Sequence, residues 1–347
     1  MKRIAACFAV LVMLSIASPV DADHSRRTRL EVMSQNLYVG ADLDRLLQGD
    51  PPAALLQTVE QTDFPSRAVE IAEGIDDFNP DLIGLQEVAI ISVFDTTGTV
   101  LFELDYLDIL MNAIAAEGES YAVAASVDNA DVTLPVDPAA GTFARVVDRD
   151  VIIYRTDTTT VANPRSANFS TNFAVGLGGA ELEFTRGYTM VDATVGSEEF
   201  LFVNTHFEVA GAPCLTDAGP VLCQDLQATE LHEVLAEESA PIVLVGDLNA
   251  EPGTTAYDTF ADGGYVDTWD LRFPYNDEPG FTCCQTETLD NVDSILDKRI
   301  DLIFISEDGL EPYFVLTTVV GDWDQRKTPS GLWYSDHGGP WASLYLS

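Results

Sequence analysis

The chain has 347 residues, 46% of them hydrophobic, which is enough to enclose a large core and excludes a disordered, low-complexity class. Its 57 acidic against 17 basic residues give a formal net charge of −40, with lysine only at Lys2, Lys298 and Lys327. A wide acidic surface repels nucleic acid phosphates, whose binding relies on Lys and Arg, and suits salty surroundings where screening limits self-repulsion.

Lys2 and Arg3, the almost wholly apolar residues 4–16 and the small residues leading to Ala22 read as an export signal cut after Ala22. The apolar run is too short for a comfortable membrane span. The expectation is a secreted or periplasmic protein with one catalytic domain at residues 23–347. Export permits Cys214, Cys223, Cys283 and Cys284 to oxidise, and four cysteines allow three pairings. Cys214 with Cys223 closes a short loop; the adjacent Cys283 and Cys284 either bridge to that loop or join each other. No CxxC spacing supports zinc.

Residues 30–36 alternate and predict the first strand, ending at Asn36. A short helix is predicted at 42–47, a loop at Pro51-Pro52, and a longer helix at 66–78, where Ala68, Ile71, Ala72, Ile75 and Phe78 share a face. Residues 82–87 form the next strand, tipped by Glu87. Residues 89–103 read as a variable insertion, 106–116 as a helix, 121–126 as a strand and 128–141, polar with two prolines, as a surface loop. Residues 150–155 are a buried strand ending at Arg155; strand signals follow near 159–162, 184–194 and 200–205, the last leading into His206. A cysteine-bearing loop at 209–223 and a helix at 226–235 precede the run Ile242-Val243-Leu244-Val245, which lacks alternation and so reads as a strand buried on both faces. A helix at 255–261, a poorly patterned stretch to Leu296, strands at 299–305 and 312–320, a turn at 335–340 and a last strand at 341–346 complete the chain. Strands and helices with polar loops at the strand ends make an α/β fold.

Chemistry-bearing residues recur where apolar strands begin or end: Asn36, Glu87, Arg155, His206, Asp247 with Asn249, Asp301 and Asp336 with His337. Asp247 and Asn249 are i and i+2 in an extended segment, so their carboxylate and amide lie side by side. Carboxylates that hold a hard divalent cation, with a base that activates water, are what phosphate-ester cleavage requires.

The motifs Ser34-Gln35-Asn36, Leu85-Gln86-Glu87, Asn204-Thr205-His206, Gly246-Asp247-Leu248-Asn249, Arg299-Ile300-Asp301 and Ser335-Asp336-His337 occur in an order that resembles the endonuclease/exonuclease/phosphatase superfamily, over about residues 30–347. The resemblance implies a four-layer α/β sandwich, two mixed β-sheets packed face to face with helices outside. It implies Glu87 as principal ligand of Mg²⁺ (or Mn²⁺ or Ca²⁺), with Asn36 beside it and Asp336 near the metal. Asp247 and Asn249 would orient the nucleophilic water and the scissile phosphate; His337 would act as base or phosphate contact, with Asp301 fixing its tautomer. His206 would contact phosphate or protonate the leaving oxygen, and Arg155 would stabilise phosphate charge. The implied protein is a monomeric, secreted, metal-dependent phosphoesterase with no stable protein partner. Its substrate is a small phosphate ester, a lipid headgroup or nucleic acid. A lipid surface would require exposed aromatic loops, for which Trp269, Phe273, Tyr275 and Phe281 are candidates.

Overall fold

The computed structural model describes residues 28–347 except 178–179, 217–218, 276 and 323–325; the segment expected to be an export signal lies outside the described residues. The first half of the chain runs β1 (Thr28–Asn36), α1 (Asp44–Leu47), α2 (Pro52–Gln61), α3 (Phe64–Phe78), β2 (Leu82–Gln86), β3 (Ile90–Asp95), β4 (Val100–Asp105), α4 (Tyr106–Glu117), β5 (Tyr121–Asp137) and β6 (Thr142–Arg155). Then come β7 (Thr159–Asn168), β8 (Phe173–Leu177), β9 (Ala180–Phe184), β10 (Gly187–Val195), β11 (Glu198–His206), β12 (Pro213–Thr216), β13 (Gly219–Leu222) and α5 (Cys223–Leu235). The last third is β14 (Ile242–Asp247), α6 (Thr255–Ala261), β15 (Tyr265–Asp267), α7 (Thr268–Leu271), β16 (Asp301–Ser306), β17 (Phe314–Val320) and β18 (Gly339–Leu346).

Two mixed sheets carry the molecule. The first has the order β17-β18-β1-β2-β6-β3-β4, with β5 also on β6; the second has the order β15-β16-β14-β11-β10-β7. Leu30, Val32, Ile152, Phe202, Val243 and Val245 meet between the sheets. α3 and α4 cover the outer face of the first sheet with Ala68, Ile71, Ile75, Leu110 and Ile114, and α5 and α6 cover that of the second with Leu231, Leu235 and Phe260. The result is the four-layer α/β sandwich. It also explains the unalternated run in β14: Val243 and Val245 face the inter-sheet core while Ile242 and Leu244 face the helices, so both faces are apolar.

Direction decides where chemistry collects. β1 and β2 are parallel, with Asn36 opposite Gln86, and β11 and β14 are parallel, with His206 opposite Asp247. The carboxyl ends of all four strands lie at one end of the sandwich. β16 is antiparallel to β14, so its first residue Asp301 sits opposite Asp247, and β18 is antiparallel to β1, so the turn before it reaches the same end.

A buried amide ties the two sheets there. Asn204 on β11 donates through Nδ2 to the carbonyls of Leu85 (3.0 Å) and Val151 (3.2 Å) in the opposite sheet, and its Oδ1 accepts from Gln86 Nε2 at 2.6 Å. Gly84 makes room: a Cβ there would lie 2.5 Å from Asn204 Oδ1 and from Val245 Cγ2. Below them, Arg67 of α3, fully buried, donates to the carbonyls of Leu37, Tyr38, Thr62 and Tyr334 and fixes the loops that follow β1 and precede β18.

Several segments differ from their sequence reading. Residues 128–141, expected as a loop, are mostly strand: β5 continues to Asp137 and pairs with β6 as a long hairpin. Residues 131, 133 and 135 face solvent and 130, 132 and 134 are half-buried, so the polar alternation belongs to a one-sided strand, and Pro135 adjoins a register irregularity that absorbs its missing N–H. The insertion at 89–103 is the β3–β4 hairpin, which extends the first sheet beyond β6. Pro51-Pro52 is the start of α2 rather than a loop, since Pro is favoured in a helix's first turn. Cys214–Cys223 closes across the β12–β13 hairpin, and Cys283 joins Cys284 directly.

Asn204→Leu removes the side-chain donor of two buried carbonyls, and leaves the Gln86 amide only its bond to Ser34 Oγ at 3.2 Å. The expected loss is about 3 kcal/mol of unfolding free energy by urea titration; a loss below about 0.5 kcal/mol would show that the clamp carries no weight.

Candidate active site

Asn36 sits at the end of β1 with its Oδ1 accepting from the Tyr38 amide at 2.9 Å, so Nδ2 turns outward. That Nδ2 donates to Glu87 Oε1 (3.1 Å) and to Asp247 Oδ2 (3.1 Å), bridging the two sheets' acidic residues. Glu87 Oε2 accepts from the Val39 amide at 2.6 Å. Glu87 has a backbone φ of 54° and Asn249 one of 49°, left-handed conformations that cost on the order of 1 kcal/mol for a non-glycine residue and turn both side chains back across the strand ends. Asp247 Oδ1 accepts from the Asn249 amide at 2.9 Å, and Asn249 Nδ2 donates to the Phe207 carbonyl at 2.9 Å, which fixes the orientation of the amide.

His337 Nδ1 is 2.8 Å from Asp301 Oδ2 and 3.8 Å from Asp247 Oδ2, and its Nε2 is 3.9 Å from Asp336 Oδ1. Burial pushes its pKa down, but Asp301, Asp336 and Asp247 outweigh burial and hold it well above the ordinary histidine value. Nδ1 therefore carries its proton toward Asp301. Thr282 Oγ1 accepts from the Ile300 and Asp301 amides, the Asp336 carbonyl accepts from the Gln285 amide at 2.8 Å, and the Thr282 carbonyl accepts from Gly338 N at 2.7 Å. The Cys283–Cys284 segment thus backs the His337 turn.

His206 is 1% exposed. Arg186 Nη1 lies 3.0 Å from its Nδ1, and because arginine only donates, Nδ1 is the acceptor and the ring proton is on Nε2, 3.6 Å from Asp247 Oδ2. Burial, reinforced by Arg186 and His337, depresses its pKa well below the ordinary value and keeps it neutral. Arg186 also lies 3.5 Å from Asp148 and 3.7 Å from Glu208, and Asp150 Oδ2 accepts from Asn129 Nδ2 at 2.8 Å. Burial raises the carboxyl of Asp247 to about 7, with Asp301 adding to it, and burial raises that of Asp336 to about 7, with Glu87 adding to it.

Eight of the nine sequence-derived candidates converge: Asn36, Glu87, His206, Asp247, Asn249, Asp301, Asp336 and His337. Arg155 does not. β6 runs antiparallel to β2, with Leu82 opposite Tyr154, so Arg155 lies at the far end of the sandwich, paired with Asp157 (3.0 Å) and Glu119 (3.5 Å). The residues that β6 does bring to the site are Asp148 and Asp150, whose i, i+2 spacing in a buried strand was the available signal. The arginine of the site is Arg186, placed there because Gly187 pairs with His206 across the β10–β11 hairpin. Of the aromatic loop candidates, Trp269 is buried while Phe273, Tyr275 and Phe281 are exposed, and Phe273 packs on Phe314, which pairs with Tyr345 at the far end of β18. Phe273 therefore lies away from the site.

The site carries more negative charge than its own cations balance. Glu87, Asp247, Asp301 and Asp336 face one raised histidine; Asp301 Oδ1 is buried without a hydrogen-bond partner, and side-chain atoms of Asp247, Asp301 and His337 come within 4.8 Å of one another. Hard carboxylate oxygens with uncompensated charge fit a divalent cation, while Asn36, whose Oδ1 is taken by the Tyr38 amide, presents its Nδ2 to Glu87 and Asp247 rather than an oxygen.

Comparison with known proteins follows the same lines. The model of the endonuclease/exonuclease/phosphatase family matches residues 33–337. No curated protein sequence matches the chain. Among solved structures, an endonuclease/exonuclease/phosphatase family protein from Bacteroides thetaiotaomicron superposes with TM-score 0.57 at 18% identity, covering 93% of this chain and 99% of its own. A mannosyl-6-phosphatase from the same organism gives 0.54 at 18% identity, covering 92% and 100%. TDP2 from D. rerio, solved with a single-stranded DNA product, gives 0.53 at 15% identity, covering 91% and 98%. These likenesses establish the fold.

Arg186→Gln removes a cation that disfavours a charged His206. The variant's His206 is expected to titrate at higher pH than the wild type's, as read from its Cε1–H NMR shift. The sign for stability follows: a histidine held neutral in the folded state contributes stability above the unfolded value of roughly 6.5 and loses it as pH falls, because the unfolded chain then binds the proton. Arg186→Gln should therefore lose less of its stability than wild type on acidification from pH 7 to 5. Unchanged His206 titration would remove Arg186 from the account.

Proposed function

The chain belongs to the endonuclease/exonuclease/phosphatase family, and on that premise we propose that it is an exported, divalent-metal-dependent phosphoesterase that hydrolyses a phosphate ester by direct attack of water. The observation that carries this reading is the opposition of two differently charged partners at one point: Asp247, whose carboxyl titrates near neutrality, and His337, held cationic by Asp301. An acid and a base of this kind, set apart by environment, are what in-line hydrolysis uses.

In this reading Asp247 takes the proton of the attacking water, since a base titrating at about 7 is efficient at neutral pH. Asn249 orients the same water or a phosphoryl oxygen. His337, with its Nδ1–H committed to Asp301 at 2.8 Å, presents Nε2–H to the phosphate and stabilises the charge that develops on it. His206, neutral and protonated on Nε2, donates a second hydrogen bond, while Arg186 holds its tautomer from behind. A divalent cation bound by Glu87, with Asn36 and Asp336 beside it, would offset negative charge on the phosphoryl oxygens.

The formal charge of −40 favours a small ester over a long polyanion. Export is supported by the basic-then-apolar leader and by the Cys214–Cys223 bridge, a feature of oxidising compartments. Mg²⁺, Mn²⁺ or Ca²⁺ and a monomeric state complete the proposal.

Turnover of bis(p-nitrophenyl) phosphate and p-nitrophenyl phosphate by the purified mature protein is expected to require a divalent metal and to stop with EDTA. Asp247→Asn and His337→Ala are each expected to lower kcat by about 10³-fold or more with the fold intact by circular dichroism. Hydrolysis that survives both substitutions would reject this site. Amino-terminal sequencing of protein from the culture medium or periplasm tests export: a first residue at Asp23 is expected, and a retained Met1 in the cytoplasm would refute it.

A further inference from the structure

The couple of His337 with Asp301 spans two sheets, because Asp301 opens β16 in the second sheet and His337 precedes β18 in the first. Among the described residues, no backbone hydrogen bond joins 297–301 directly to 335–338. Residues 282–285 make the connection instead. On one side, Thr282 N and Cys283 N donate to the Lys298 carbonyl at 2.7 and 3.0 Å, and the Cys283 carbonyl accepts from Asp297 N at 2.7 Å and Lys298 N at 3.0 Å. Thr282 Oγ1 accepts from Ile300 N at 3.2 Å and from Asp301 N at 3.1 Å. On the other side, Gly338 N donates to the Thr282 carbonyl at 2.7 Å and Gln285 N to the Asp336 carbonyl at 2.8 Å. Cys283 is thereby bridged both to Lys298 and to His337.

This connecting segment has little else to hold it. Between Leu271, where α7 ends, and Asp301, where β16 starts, the described residues form no helix and no strand, only the isolated bridges of Cys283. Fixing the backbone of one residue costs about 1–2 kcal/mol, so such a loop keeps one geometry only where something restricts it. The bond between Cys283 and Cys284 supplies that restriction at the bridging residue itself: it closes a small ring through the two side chains and the peptide between them, which limits the backbone of both residues. Both sulfur atoms and a ring nitrogen of His337 lie within 4.8 Å of one another. Cys283 is buried and Cys284 half-buried, so a small thiol approaches the bond from the Cys284 side.

We propose that Cys283 and Cys284, joined to each other, are positioning residues for the couple of His337 with Asp301, and that the enzyme reaches full turnover only while the pair is oxidised. The inference rests on the phosphoesterase reading for what His337 does. Reduction opens the bond: a dithiol gives up two electrons and two protons and becomes a cyclic disulfide, and Cys283 and Cys284 each gain a thiol hydrogen. Neither sulfur takes part in the hydrolysis; what changes is the restraint on the segment that Asp301 and His337 share. A reducing compartment keeps the pair open and an oxidising one closes it, so full activity follows export.

The test reads the bond, the restraint and the turnover separately on the mature protein. Peptide mass mapping without reductant is expected to find Cys283 joined to Cys284; free thiols at both, or a bond from either to Cys214 or Cys223, would overturn the proposal. After treatment with dithiothreitol, removed before an anaerobic assay with Mg²⁺, kcat for bis(p-nitrophenyl) phosphate is expected to fall about tenfold or more while KM changes by less than about twofold, because a displaced catalytic group costs turnover rather than binding. Reoxidation should restore it. The double variant Cys283→Ser, Cys284→Ser should show the low kcat and no response to dithiothreitol, which separates this pair from Cys214–Cys223. Hydrogen exchange read by mass spectrometry does not depend on turnover: the amides of 297–301 and 336–338 are expected to exchange faster after reduction, and those of β1 and β14 at the same rate as before. Unchanged kcat on reduction, or exchange that accelerates evenly over the whole chain, would overturn the positioning role. The local exchange change in a protein that hydrolyses no phosphate ester would uphold the restraint and refute the catalytic reading instead.

Discussion

The site depends on the close contact of two sheets at one end, and the contact that holds them is the buried Asn204 amide. Two parallel pairs, β1–β2 and β11–β14, each deliver acidic and amide side chains at their carboxyl ends, but in different sheets. Only when Asn204 binds Leu85 and Val151 across the gap, over a glycine at position 84, do Asn36 and Asp247 come within hydrogen-bond distance. A larger residue at Gly84 or a nonpolar one at Asn204 would separate the two half-sites before it altered either. The polar link is fully satisfied, which is the condition under which a buried polar group specifies a geometry rather than weakening it.

Around that link, electrostatics divides the two histidines by environment. His337 is backed by Asp301 and is held cationic; His206 is backed by Arg186 and is held neutral. The same residue type is thus favoured in its charged form at one position and in its neutral form at the other. Asp247 lies between them, 3.8 Å from one ring and 3.6 Å from the other, and its raised carboxyl follows from burial more than from either. Arg186 is the buried cation among Asp148, Glu208 and His206.

The acidic surface and the cleft answer different needs. A formal charge of −40 repels long polyanions over the whole molecule, while in the proposed reaction a divalent cation, His337 and Arg186 would supply local positive charge for one phosphate. Short-range contacts of this kind survive salt that screens the surface.

Much of the site was legible in the sequence because its residues sit where strands stop. A strand end is marked by a local change from apolar to polar residues, so Asn36, Glu87, His206, Asp247, Asn249, Asp301 and the Asp336-His337 pair could be read one by one, and their order resembled a family. The helix spacing of 66–78 and the two-faced burial of 242–245 were local in the same sense. Strand direction was not local. Arg155 and Asp150 bound the same apolar run, and nothing within the run says which end faces the site; the antiparallel pairing of β6 with β2 chose Asp150 and sent Arg155 away. Arg186 entered through a hairpin register, and the polar residues 128–137 became a strand because β6 offered them an edge. Residue chemistry and local periodicity were determined by the sequence alone. Which ends meet and which arginine reaches them were decided by long-range pairing, because hydrogen-bond partners far apart in the chain set the direction of each strand.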